Sequence, residues 1–352
     1  MVSVGYVPYT NELSHPADRR RLASWATERN VRLNLSNPLE SDVIVLSNAA
    51  NFGHWITRTN KPVYIDLVDG YLGENPSFIK DFLRNTLRSF QGLSNLRWIT
   101  YSRHLRFAIR NSHGVIVPSI EQRDLLSNIN QNVFVIPDDH SELGSDKSNS
   151  DLINEELTSN NYLFWEGYGY TLKHFETISA QLDEFLENNN FRMFLVTVEG
   201  FKRWGGKVGD INTRAYIDRL FPISKQRIEI VPWSIENLKR CAELSRLGII
   251  PINEKDSFAA YKSENKLLSM WKLGLPVLYS KIPSYERVAK LAGQAEACLN
   301  SGEWIDALTN VTKDLDQLAK LKRTGSEYVY QYNRHETLVG KWDAVISQTL
   351  AP

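Results

Sequence analysis

Residues 261–280, YKSENKLLSMWKLGLPVLYS, place Lys262, Ser263, Asn265 and Lys266 at the start of an amphipathic helix. Leu267, Leu268 and Trp271 share its apolar face, and Gly274 suits the left-handed position that ends it. With Ser263 as N-cap, a Glu or Gln at the third helical position would close a capping box, but Lys266 stands there. A helix N-terminus already carries partial positive charge and unsatisfied N–H groups, so two ammonium groups beside it are unfavourable unless an anion balances them. A phosphate or diphosphate would accept the amide hydrogen bonds and meet both lysines. Neutralisation of one lysine by Glu264 is the plain alternative.

Three further stretches put reactive types just after apolar runs. In YIDLVDGYL, Asp66 and Asp69 follow a strand and suit proton transfer, or one of them caps the next turn. In SHPADRR, His15 is a candidate base or hydrogen-bond partner, and Arg19 or Arg20 a partner for an acid. The same residues also make an ordinary helix start, with Pro16 at the first position and Asp18 at the third. In WEGYG, Gly167 and Gly169 beside Glu166 allow close backbone approach, and VPWS brings Trp233 and Ser234 to a strand end. Cys241 and Cys298 form neither a disulfide framework nor a metal-ligand spacing, so no metal site is expected.

The elements that must position these groups alternate along the chain. Apolar runs at 4–9, 42–47, 62–67, 114–119 and 132–137 are separated by helical patterns from Pro16, Ser77, Ser102 and Glu121. Residues 139–159 are polar and read as a joint; the alternation then restarts at 162–167, 193–198, 228–233, 248–253, 276–280 and 296–300. From about Ser301 the chain reads as helical nearly to its end. Near-continuous apolar strands between helices predict parallel sheets covered on both faces: an α/β protein of two Rossmann-like, doubly wound domains facing a cleft. The expected bounds are 1–155, 156–335 and a C-terminal helix, 336–352, crossing back onto the first domain. In such sheets ligands lie outside the carboxyl ends of the strands, where all the stretches above fall.

The 352 residues carry 41 basic and 41 acidic side chains, so no overall field draws the chain to nucleic acid, and no nucleic-acid partner is expected. The N-terminus lacks the pattern of a signal peptide, and no apolar run approaches the ~18 residues that span a bilayer. A cytoplasmic setting is expected. One local exception is the basic region 80–110, with Lys80, Arg84, Arg88, Arg97, Arg103, Arg106 and Arg110 around Trp98 and Phe107. It suits contact with the anionic inner face of a membrane, or is a solvated helix face.

The stretch from Leu247 to Tyr285 resembles the donor-binding segment of GT-B glycosyltransferases close to family 4, with GIIP, KSENK, a helix and GLPV in order. HGVIVPSIEQRDLL, NVFVIPDD, FWEGYGYTLKHFETI and IEIVPWSIENLKRC extend the resemblance over most of the chain. Where that family carries paired glutamates, Ser269 and Tyr261 stand here. The resemblance implies sugar transfer from a nucleotide-sugar (UDP-, GDP- or dTDP-linked) to a saccharide or lipid-linked acceptor, without metal or cofactor, in surface polysaccharide assembly. It implies that Lys262, Ser263, Asn265 and Lys266 hold the donor diphosphate. Glu166, Gly167, Gly169, Trp233 and Ser234 then meet the nucleotide and sugar, and Asp66, Asp69 or His15 serves catalysis. A nucleotide-sugar epimerase of the same fold and a silent sugar- or nucleotide-binding module are the competing expectations.

Overall fold

The computed structural model describes residues 2–73, 77–95, 98–144, 160–202, 208–256 and 258–348. The bulk of the expected joint, the 155/156 boundary and Arg97 lie outside the described residues. The chain divides into two compact units: Met1–Asp139 with Ala260–Asn265 and Arg334–Pro352, and His140–Ala259 with Lys266–Asn333.

The sheet of the first unit is parallel, in the order β1 (Val4–Val7), β2 (Val43–Ser47), β3 (Val63–Asp66), β4 (Gly114–Val117) and β5 (Val133–Val135). Outside β1 the chain adds one bridge: Tyr6 N donates to Asn34 O at 3.1 Å, and Asn34 N to Val4 O at 2.9 Å. The segment after β1 therefore lies on one side of it and β2 on the other. The winding reverses between β1 and β2, the point where ligands of doubly wound sheets collect. Alternate strand residues face opposite sides. Ile44, Leu46, Ile65 and Val115 pack with Leu105 and Ile109 on one face. Val43, Val45, Tyr6 and Tyr64 pack with Trp25, Val339 and Trp342 on the other. The last described helix, His335–Gln348, thus completes the first unit's core.

The second unit has a parallel six-stranded sheet. Its strands are β6 (Tyr162–Glu166), β7 (Arg192–Thr197), β10 (Ile228–Pro232), β11 (Leu247–Ile250), β12 (Val277–Ser280) and β13 (Cys298–Leu299), in the order β10-β7-β6-β11-β12-β13. Its winding reverses between β6 and β11. An antiparallel hairpin not expected from sequence, β8 (Gly200–Lys202) and β9 (Val208–Asn212), follows β7.

Two expectations about helices need correction. The pattern from Pro16 forms two helices, Pro16–Arg19 and Leu22–Glu28, because the backbone turns out of the helical region at Arg21 (φ −128°, ψ −118°). The helix beside Ser263 opens at Asn265, so Ser263 lies two residues ahead of it and Lys266 is its second residue.

Candidate active site

In the second unit, the winding reversal brings the end of β6 beside Lys266. Glu166 ends β6 half-buried, and Gly167 follows with φ +157°, a conformation open to glycine. A Cβ on Gly167 would lie 2.6 Å from Lys266 Nζ, so the missing side chain makes room for that ammonium. The ammonium stands 4.6 Å over the ring of buried Trp165. Leu267, Leu268, Met270 and Trp271 are all buried and pin the helix Asn265–Lys272 to the sheet. The electron-rich indole face stabilises the Lys266 ammonium, and a helix start beside an ammonium suits an anion.

The neighbouring candidates divide. A Cβ on Gly169 would meet the Phe201 ring at 2.4 Å, so this glycine serves packing against the β8 strand rather than approach of a ligand. Ser234 caps the helix Ile235–Glu243, its hydroxyl accepting Asn237 N at 3.0 Å. Trp233 is part-buried at the end of β10, held by Trp233 N donating to Thr197 O at 3.0 Å. Lys173 pairs with Asp256 at 2.8 Å, and His174 Nδ1 accepts Asn253 N at 3.2 Å, which together tie down the loop after β11.

Lys262, Ser263 and Asn265 belong by their contacts to the first unit. Tyr261 anchors that segment there: Gln122 Nε2 donates to its carbonyl at 2.9 Å, and Gly70 and Gly73 leave space for its side chain. Asn265 Oδ1 accepts Asp138 N at 3.3 Å.

The two aspartates of the first unit have different surroundings. Asp66 is buried with Arg21: Arg21 Nε reaches its oxygens at 2.8 and 2.9 Å and Nη2 at 2.6 Å. Arg21 Nη1 also donates to Ile136 O at 2.8 Å and to Asp138 at 3.0 Å. Asp66 is thereby committed to a buried pair, which moves it out of the acid–base role expected for it. The arginine seen to hold Asp66 is Arg21, which the sequence reading did not single out. Its place on the apolar period of Leu22 and Trp25 was the available signal. Asp69 is half-buried in the loop after β3; burial raises its pKa above the usual carboxylate range, and Lys262 opposes that rise. A carboxyl raised by burial in this way is suited to proton transfer.

His15 stacks on Tyr9 at 4.6 Å, and its Nδ1 accepts Ala17 N at 3.1 Å as the cap of the first short helix. Burial lowers its pKa. A neutral imidazole with Nδ1 accepting carries its proton on Nε2, so His15 presents a donor and not a base. Asp18 holds the loop around it, accepting from Tyr6 Oη at 2.7 Å, Tyr9 N at 2.9 Å and Thr10 N at 3.0 Å.

A cationic aromatic cluster missed in the sequence surrounds the β1/β2 reversal. The Arg84 and Arg88 guanidinium carbons stand 4.1 and 5.2 Å from the Tyr101 ring centroid. Tyr101 Oη donates to Asn48 Oδ1 at 2.8 Å, and the Tyr9 and Tyr71 hydroxyls lie 3.4 Å apart. Arg88 Nη2 donates to the carbonyls of Asn48 at 2.9 Å and Ala50 at 3.2 Å. No acidic side chain among the described residues pairs with Arg88, and its pKa is lowered by burial. Among the described residues, no group of three or more His, Cys, Asp or Glu is placed to hold a metal ion.

No protein-family model and no characterised protein sequence matches the chain. Solved structures match in fold. HepE from Anabaena, in complex with UDP and glucose, has a TM-score of 0.63 at 11% identity, over 99% of this chain and 100% of that one. Sucrose-phosphate synthase from Thermosynechococcus elongatus gives 0.60 at 13%, over 98% and 80%. An S. aureus TarM structure with fondaparinux, alpha-GlcNAc-glycerol and UDP gives 0.59 at 11%, over 86% of this chain. The chain spans about half of TarM, 55% of its length. These neighbours are GT-B glycosyltransferases, and the fold of this chain is the GT-B fold, built from two Rossmann-like domains.

Proposed function

We propose that the protein is a metal-independent glycosyltransferase related to family 4, moving a sugar from a nucleotide-sugar to a saccharide or lipid-linked acceptor in surface polysaccharide synthesis. The observation that carries this reading is Lys266, an ammonium at a helix start beside Gly167 at the sheet's winding reversal. The stretch Lys262–Lys266 takes the donor diphosphate. Trp233 serves the nucleobase, and Glu166 a ribose or sugar hydroxyl. The second unit serves as the donor domain, and the first unit, which takes in 260–265 and the C-terminal helix, as the acceptor domain. Glycosyltransferase neighbours with UDP bound, such as HepE and TarM, support the donor class.

In the reaction, Asp69 takes the acceptor hydroxyl proton as that oxygen bonds the anomeric carbon. The carbon–oxygen bond to the diphosphate breaks, and its electron pair stays on the diphosphate. Helix amides and the Lys266 ammonium stabilise that charge. His15 donates through Nε2 to a sugar hydroxyl. Arg88 and Arg84 suit an acceptor that carries its own phosphate, as a lipid-linked diphosphate does. Contact of region 80–110 with the inner membrane face fits such an acceptor.

The test is nucleotide release from UDP-, GDP- and dTDP-sugars, with and without acceptor, joined to calorimetric titration of the nucleoside diphosphates. Loss of the charged contacts of Lys266 is worth ~1.5–3 kcal/mol, so Lys266→Ala should weaken diphosphate binding by about ten- to a hundredfold. An unchanged Kd removes Lys266 from the site.

A further inference from the structure

We propose that the helix Phe78–Phe90 is a docking element that lies on an anionic lipid surface. Its amphipathicity is inverted. The residues it buries are polar, Asp81 and Asn85. Asp81 accepts Ser102 N at 3.1 Å and also the Ser102 hydroxyl. Asn85 Nδ2 donates to Ile99 O at 2.9 Å, and Asn85 Oδ1 lies 3.3 Å from His104 Nδ1. This polar face fastens the helix to the segment Ile99–His104, and Arg88 on the same side binds the carbonyls after β2.

The apolar face points outward. Ile79, Leu83, Leu87 and Phe90 are 71%, 53%, 49% and 86% exposed. At about 100° per residue they fall within roughly 80° of arc, a single stripe along the helix. Phe78 and, just beyond the helix, Trp98 are exposed as well, Trp98 at 85%. A soluble surface scatters such residues singly; a stripe of this kind marks a contact.

Charge selects the occupant. Exposed Lys80 borders the stripe, and the helix Tyr101–Asn111 presents Arg103, Arg106 and Arg110 to solvent beside exposed Phe107. That helix carries no acidic residue, and Asp81, the acid of the helix Phe78–Phe90, is buried and bonded. Apolar side chains flanked by cations match acyl chains below anionic headgroups. Among the described residues no helix is long and apolar enough to cross a membrane, so this element lies on the surface.

Docking would bring a lipid-linked acceptor to the first unit and so deepens the transferase reading, but the helix carries the proposal by itself. The full chain is sedimented with vesicles of phosphatidylcholine alone and of phosphatidylcholine with phosphatidylglycerol. The wild type should pellet severalfold more with the anionic vesicles. Leu83→Ser/Leu87→Ser/Phe90→Ser should stay in the supernatant with both, its thermal midpoint unchanged because these side chains are exposed. Arg103→Gln/Arg106→Gln/Arg110→Gln should lose the preference for anionic lipid. The proposal is overturned if the wild type stays in solution, pellets equally with both vesicles, or is matched by the serine variant. Lipid-free dimerisation that the serine variant abolishes would assign the stripe to a second copy and also overturn it. Titration of the same samples with UDP, GDP and dTDP reads the donor site separately: vesicle binding with none of the three bound would end the transferase reading and leave this one standing.

Discussion

The stretch YIDLVDGYL offers two aspartates three positions apart. What separates them is Arg21, 45 residues away from Asp66 in the chain, which claims both oxygens of Asp66. Replacing Asp66 with Asn leaves that buried guanidinium poorly matched, and breaking a buried pair costs about 3–5 kcal/mol. Asp66→Asn should therefore lower the urea midpoint strongly. Asp69→Asn should leave stability nearly intact and lower kcat by about 10²–10⁴-fold if the carboxylate accepts the acceptor proton. Because burial raises the Asp69 pKa, the ionised base is lost as pH falls through that raised value. The acid limb of kcat/KM should lie above the ordinary aspartate range. Full turnover by Asp69→Asn would retire it. The lysines show the same division of what was legible: spacing exposed the odd charge at the helix start, but not the indole under Lys266 or the glycine that admits it.

At the level of elements, the apolar runs located the strands well, because strands buried on both faces leave no other pattern. Helix ends were less legible. Arg21 interrupts a continuous helical pattern and reaches Asp66, and the later helix opens at Asn265, whose Oδ1 accepts Asp138 N, so both ends involve partners distant in sequence. The C-terminal helix shows how such partners act. His335 Nδ1 lies 2.6 Å from Asp139, and Nε2 3.2 Å from Glu28 at the end of the helix Leu22–Glu28. Trp25 Nε1 donates to Asp343 at 2.8 Å. Burial lowers the His335 pKa, but Asp139 and then Glu28 outweigh it, and the net shift is upward. Stability from a raised histidine is complete below its unfolded value, about 6.5, and is lost as pH rises through the folded value. The thermal midpoint of the wild type should exceed that of His335→Gln most below about pH 6.5, and the gap should narrow toward alkaline pH. A gap independent of pH would refute this ion-pair account.

Across the whole molecule, alternation of strand and helix announced two doubly wound sheets, yet the winding orders needed tertiary information. The bridge at Asn34 that turns the first sheet into a reversing one is a single residue pair, invisible as a strand. The assignment of 260–265 and 334–352 to the first unit likewise depends on long-range packing. The second unit encloses Trp165, Trp271 and Trp304 in its own core. A nucleotide held at Lys266 binds that unit only when it is folded. At a hundred times its Kd it should add about 2.7 kcal/mol to stability. At roughly 2–4 °C per kcal/mol for a unit of this size, the midpoint should rise by about 5–10 °C. In Lys266→Ala the same nucleotide concentration is only about one to ten times Kd, so the rise should fall to about half or less. Asp66→Asn, whose lesion lies in the first unit, should start from a lower midpoint but keep its nucleotide-dependent rise. A rise of equal size in Lys266→Ala, or none with UDP, GDP or dTDP, would remove the donor site from the β6–β11 reversal.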